Sequence, residues 1–135
     1  MTKTVTKTIA AAVVALAVGA SPAFAGGQIS IGFAPTDSDQ AQALGLGLQM
    51  FSLVQGMSAT GANSYQNGNG NSAGFNQNGS GNHGVIFQEG NGHNGTISQN
   101  GSNNSCGLFQ FGNATNAQCM QNGNGQSGIT TVFGF

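Results

Sequence analysis

The chain has 135 residues, only 4% of them charged: two Lys or Arg, three Asp or Glu. Both cations, Lys3 and Lys7, lie near the start. The remainder has no basic side chain to neutralise phosphates, which argues against a nucleic-acid partner, and none of the edge lysines with which soluble β-proteins keep strands from pairing with neighbours.

Residues 1–25 read as a secretory signal peptide. Lys3 and Lys7 form a positive n-region, Ile9 to Val18 an apolar core, and Ala23-Phe24-Ala25 a small-x-small cleavage site before Gly26. The apolar run is shorter than the roughly 20 residues a spanning helix needs. The expected product is therefore exported and has no membrane span. Its charged side chains reduce to Asp37, Asp39 and Glu89.

Residues 26–60 form a separate N-terminal segment. Ile29, Ile31 and Phe33 alternate with small or polar residues, which suits a short strand or an extended arm. Pro35-Thr36-Asp37-Ser38 is a turn or helix-start pattern, with Thr36 and Asp39 at capping-box spacing. Residues 37–53 then allow two readings. A helix would carry Gly45 and Gly47, each costing about 1 kcal/mol relative to Ala. The period-two alternation of Leu44, Leu46, Leu48 and Met50 favours a strand. Phe51, Leu53 and Gln55 stand where a degenerate unit of the downstream repeat would fall, so a capping strand is a further expectation for this segment.

From residue 61 to 135 the chain is a repeat array. Gln66, Gln77, Gln88, Gln99, Gln110 and Gln121 recur every 11 residues, and each is followed two positions later by glycine: Gly68, Gly79, Gly90, Gly101, Gly112 and Gly123. Val132 takes the next glutamine position, with Gly134 after it. Two residues before the glutamine lie Phe75, Ile86, Ile97, Leu108 and Cys119; four before it the residue is small. Small, apolar and Gln at alternate positions share one face of a strand, and the Gly- and Asn-rich residues that follow supply a reversal. Each unit is thus a strand and a turn.

The period doubles on the other face. One residue before the glutamine, alternate units carry Tyr65, Phe87 and Phe109, whereas the intervening units carry Asn76, Ser98 and Met120. One residue after it, the second set carries Asn78, Asn100 and Asn122. The predicted fold is all-β: a two-sheet β-solenoid of 11-residue strand-turn units, 22 residues per rung and three to four rungs. Its interior holds the glutamines with Phe75, Ile86, Ile97, Leu108, Cys119 and Val132, and one outer face holds an aromatic ladder. Stacked amides, each donating to the next, satisfy groups that would otherwise be buried unpaired at about 1–3 kcal/mol apiece. The inward apolar side chains are few, so backbone ladders must carry much of the stability. A short solenoid with uncharged, open ends is expected to stack on other copies.

Segments such as Ser64-Tyr65-Gln66-Asn67-Gly68-Asn69-Gly70-Asn71 and Phe75-Asn76-Gln77-Asn78-Gly79-Ser80-Gly81-Asn82 resemble the curlin repeats of bacterial curli subunits. The resemblance covers about residues 60–135. It implies a secreted functional amyloid that self-assembles into surface fibres for adhesion and biofilm matrix, exported through an outer-membrane pore and started by a nucleator subunit. The asparagine five after the glutamine is kept at Asn71, Asn82 and Asn104, but His93, Thr115 and Gln126 replace it elsewhere, and residues 26–54 are more apolar than the family's exported N-terminus. Alternative readings are the minor nucleator itself, or a monomeric β-solenoid adhesin or ligand-binding module.

Catalytic, cofactor and metal sites are not expected. His83 and His93 read as solvent-exposed turn residues without nearby acids rather than a metal site, and both aspartates precede the array. Cys106 and Cys119 point inward from facing strands in an exported, disulfide-permissive chain. In the expected register Cys119 opposes Leu108 and Cys106 opposes Gln121. With sheets about 10 Å apart, that offset exceeds the roughly 7 Å Cα limit, so no intramolecular bridge is predicted.

Overall fold

A computed structural model describes residues 27–135; the expected signal peptide lies outside the described residues. The elements, in order, are β1 (Gln28–Phe33), α1 (Ser38–Val54), β2 (Gly61–Asn67), β3 (Ser72–Asn78), β4 (His83–Asn91), β5 (Asn94–Asn100), β6 (Ser105–Asn113), β7 (Asn116–Asn122) and β8 (Ser127–Gly134).

Strands β2 to β8 wind as a β-solenoid of about three turns, with consecutive strands falling alternately in two sheets. One sheet has the order β1-β8-β6-β4-β2, the other β3-β5-β7. Within each coil the pairing is parallel, and every residue meets the one 22 positions away. Gln66 lies beside Gln88, Gln88 beside Gln110 and Gln110 beside Val132; in the other sheet Gln77, Gln99 and Gln121 are in line. A parallel sheet holds identical residues level only when the repeat length equals the rung, which is why the doubled period sets the register.

Turn glycines let the rungs close at this spacing. Gly90 has φ 125°, and a Cβ there would run into the carbonyl oxygen of Gly112 on the next rung. Only a residue without a Cβ tolerates both the conformation and the approach.

The interior is thin. Ile86, Ile97, Cys106 and Leu108 are fully buried, with Ala73, Phe75, Ala117 and Cys119 packed around them. Small residues four before the glutamine face large ones of the opposite sheet: a Cβ on Gly84 would sit 3.2 Å from the Phe75 ring, and one on Gly95 3.1 Å from the Leu108 side chain. This small-against-large fit draws the sheets together.

That closeness overturns the disulfide expectation. Cys106 and Cys119 are bridged, with Cα atoms 6.7 Å apart. Cys106 occupies the small position and lies within bonding reach of Cys119; the error lay in assuming the spacing of sheets that keep large residues on both sides.

The N-terminal segment contains a strand and a helix, and both pack on the five-stranded sheet. Asp37 caps α1, its carboxylate accepting from the Asp39 amide at 2.8 Å and the Gln40 amide at 3.4 Å, one residue later than the Thr36 spacing suggested. The helix lies on the sheet by a stripe of Ala41, Gly45, Leu48 and Ser52. Gly45 is a contact rather than a weakness, since a Cβ there would meet the Ser105 hydroxyl at 3.0 Å. The leucine alternation that favoured a strand leaves Leu46 and Met50 in solvent. Phe51, Leu53 and Gln55 belong to the helix and its C-cap and form no capping strand.

The capping strand is β1 instead. It runs antiparallel to β8, with Ser30 level with Val132. The two ends therefore differ: at the last rung β1 covers β8 and becomes the edge of the five-stranded sheet while β7 stays the edge of the other, whereas at the first rung the edges are β2 and β3.

Candidate functional site: the amide ladders and the strand edges

Two glutamine ladders run through the interior, one per sheet. Gln66 Nε2 donates to Gln88 Oε1 at 2.7 Å, and Gln88 Nε2 to Gln110 Oε1 at 2.7 Å. In the other sheet Gln77 donates to Gln99 at 2.7 Å and Gln99 to Gln121 at 2.8 Å. The second amide proton crosses to the opposite sheet: Gln88 donates to the Ser72 carbonyl at 2.8 Å, Gln99 to His83 at 2.9 Å, Gln110 to Asn94 at 3.0 Å and Gln121 to Ser105 at 2.9 Å. Gln88, Gln99, Gln110 and Gln121 thus bind along the axis and across it. Leucine could fill the space but would leave the N–H of one ladder neighbour and the carbonyl of the other unpaired, at about 1–3 kcal/mol each.

The ladders end differently. Gln88, Gln99 and Gln110 are fully buried, Gln77 is half-buried and Gln66 is exposed, because among the described residues no strand lies beyond the first rung. The Oε1 atoms of Gln66 and Gln77 accept no bond from the described residues, so this end presents acceptors and two unpaired backbone edges. At the far end Val132 stops one ladder, and Gln110 turns its amide to the Thr115 hydroxyl at 2.9 Å.

A further ladder runs along the turns, five residues after each glutamine. The Asn71, Asn82 and Asn104 amides donate to the carbonyls of Gly90, Gly101 and Gly123 at 2.9, 2.9 and 2.8 Å. Their oxygens accept the backbone N–H of the residue one rung on: Asn71 from His93 at 3.0 Å, Asn82 from Asn104 at 3.1 Å and Asn104 from Gln126 at 3.0 Å. The replacements His93 and Thr115 continue the column, His93 Nδ1 lying 2.7 Å from the Thr115 hydroxyl. The asparagine spacing was the available sign of this column, but nothing local showed that the side chains turn inward.

Both histidines are buried, which corrects their assignment to solvent. His93 is 1% exposed in the turn column. His83 opens β4 beneath the helix, with Nε2 3.0 Å from the Ser52 hydroxyl. Ser52 donates to the Leu48 carbonyl at 3.1 Å, so it accepts from an Nε2–H tautomer, leaving His83 Nδ1 without a partner. Burial lowers the His83 pKa, against a smaller raising effect of the Ser58 backbone. The two rings stand in separate places, and no group of three His, Cys, Asp or Glu able to hold a metal occurs among the described residues.

The two outer faces differ as the doubled period implies. Tyr65 stacks on Phe87 at 4.8 Å, and Phe87 is tilted toward Phe109 at 6.2 Å. The Phe51 ring of α1 lies edge-on to Phe87 at 6.0 Å and Phe109 at 5.2 Å, so the helix covers most of the aromatic ladder. On the three-stranded sheet Asn78, Asn100 and Asn122 are exposed, with one long amide bond of 3.4 Å from Asn78 to Asn100.

The fold thus defines a β-solenoid protein whose distinguishing parts are stacked amides and unpaired strand edges. No protein-family model, curated protein or solved structure matches the chain. Among the described residues, no helix is long and apolar enough to cross a membrane.

Proposed function

We propose that this chain is a secreted structural subunit, not an enzyme, that joins other copies end to end into curli-like fibres on a bacterial surface, serving adhesion and biofilm matrix. The observation that carries the reading is the first rung. Edges β2 and β3 are both open and bear no charged residue, and each ends a ladder in an amide oxygen awaiting a donor. Such edges template strand addition. An export pore and a nucleator subunit are partners that the repeat resemblance supplies, and the chain could equally fill the nucleator's role.

The test follows thioflavin fluorescence and electron microscopy of residues 27–135, which contain β1 to β8 and α1. Fibres with a cross-β repeat are expected, and Gln66→Ala should slow their growth by removing a terminal acceptor. A soluble species that never fibrillises would overturn the proposal. It would favour a monomeric binding module, for which a groove of about 530 Å³ between α1 and the turns, lined by Gln42, Gln49, Asn103 and Asn124, is the available site.

A further inference from the structure

The two ends of the solenoid have different shapes. At the first rung both sheets stop level, at β2 and β3. At the other end the three-stranded sheet stops at β7, while the five-stranded sheet continues through β8 and β1. The end is therefore a step two strands deep. A copy placed head to tail on it would meet β1 and leave the lower half of the step empty.

The step fits itself. Consecutive coil strands run in opposite directions, so β7 is antiparallel to β8; β1 is also antiparallel to β8, and hence β1 and β7 run the same way. They begin side by side: the Gln28 amide of β1 accepts from the Asn116 N–H at 2.8 Å and donates to the Asn116 carbonyl at 3.0 Å. A two-fold axis parallel to the strands exchanges the two sheets and preserves strand direction. It therefore brings the partner copy's β1 under β7, parallel and starting at the same end, and reciprocally. Five strands of one copy then continue into three of the other, giving eight in each joined sheet.

The edge chemistry suits this joint. The Asn116 contacts show that its backbone groups point to the open edge, so by alternation those of Gln118, Met120 and Asn122 do too. Gln28 covers only the first position. β1 is exposed along its whole length, and neither β1 nor β7 contains a charged residue. The inner side chains offered to the partner copy are small, Ser30 and Gly32, as close facing sheets require.

We propose that two copies of this chain join at their stepped ends about such a two-fold axis, β1 of each extending the three-stranded sheet of the other. This rests on the fibre reading and adds its geometry at one end: the step joins copies in pairs, and the β2 and β3 edges at the two outer ends of each pair stay free for growth. An isologous joint of this kind closes on itself at two copies, so a dimer forms before fibres.

Sedimentation velocity of freshly prepared residues 27–135, with fibre growth followed in parallel, tests it. The wild type is expected to sediment as a dimer. Met120→Pro, which removes one edge N–H, and Ser30→Lys, which places a charge inside the step, should each weaken the dimer about tenfold or more. Gln66→Ala, at the level end, should leave it intact. If Met120→Pro disturbs folding, judged by the Cys106–Cys119 bridge and circular dichroism, Ser30→Lys decides, because it changes no backbone donor. Fibres growing from monomers alone, or dimers surviving both substitutions, overturn the joint. Dimers that never become fibres support the joint and sink the fibre proposal; neither dimers nor fibres overturns both.

Discussion

The two sheets share one repeat yet differ in what lies on them. Inside, both are built alike: a small residue, an apolar residue and a glutamine, with the glutamines bonded along the axis at 2.7–2.8 Å in each sheet. Outside, the five-stranded sheet carries Phe87 and Phe109 under the helix, with Phe111 stacked on Phe133 at 5.5 Å beside them, whereas the three-stranded sheet presents Asn78, Asn100 and Asn122 to solvent. The interior positions make a solenoid; the outer positions decide which side recruits the rest of the chain. Aromatic rings beside short or absent side chains, such as Gly107 beneath Leu48, give α1 a surface to seat on, and exposed amides do not.

Interior substitutions should ignore this difference. Gln99→Leu in the bare sheet strands the Gln77 amide, the Gln121 oxygen and the His83 carbonyl. Urea denaturation should show a loss of about 3 kcal/mol, with Gln88→Leu in the covered sheet close to it. A large gap between the two would mean that the sheets are not equivalent inside. Reducing the Cys106–Cys119 bridge, which joins the sheets across 13 residues of sequence, should cost about 3 kcal/mol, measured by denaturation with and without reductant.

Outer-face substitutions should expose the asymmetry. Phe51→Ala removes two aromatic contacts between helix and sheet, and a loss of about 2 kcal/mol is expected. Met120→Ala, at 73% exposure on the bare sheet, should change stability by less than about 0.5 kcal/mol. Equal effects would show that the helix contributes nothing to the covered face. Asp37→Ala should cost about 1 kcal/mol through loss of the N-cap, with faster exchange of the Asp39 and Gln40 amides.

The helix contact should also weaken in acid. Burial holds the folded-state pKa of His83 below its ordinary 6.5, so the unfolded chain binds the proton more readily. Its contribution to stability is complete above about pH 6.5 and is lost as pH falls through the lower folded value. Hydrogen exchange at α1 should accelerate over that window while β5 and β7 stay protected. His83→Asn should flatten the dependence, and an unchanged pH profile in that variant would assign the effect elsewhere.

Much of the solenoid was legible before any coordinates. The 11-residue glutamine spacing, doubled to 22 by Tyr65, Phe87 and Phe109, implied two sheets, a parallel register and an inward amide ladder, because a repeat stacked at rung length puts like on like. The histidines were not legible. His83 and His93 follow turn-rich stretches in sequence, and their burial depends on a helix from elsewhere in the chain and on the Thr115 hydroxyl one rung away.

What the sequence by itself determined was the periodic part, where each residue's surroundings are copies of itself and local spacing is sufficient information. The tertiary structure decided everything aperiodic. It chose the helix for residues 38–54 because Ala41, Gly45, Leu48 and Ser52 seat on the aromatic sheet, a contact no single-segment pattern reveals. It brought Cys106 within 6.7 Å of Cys119 because small residues face large ones across the interior. It also laid β1 on β8, extending one sheet beyond the other. That step arises where residues 28–33 meet residues 127–134, a pairing that no repeat unit encodes.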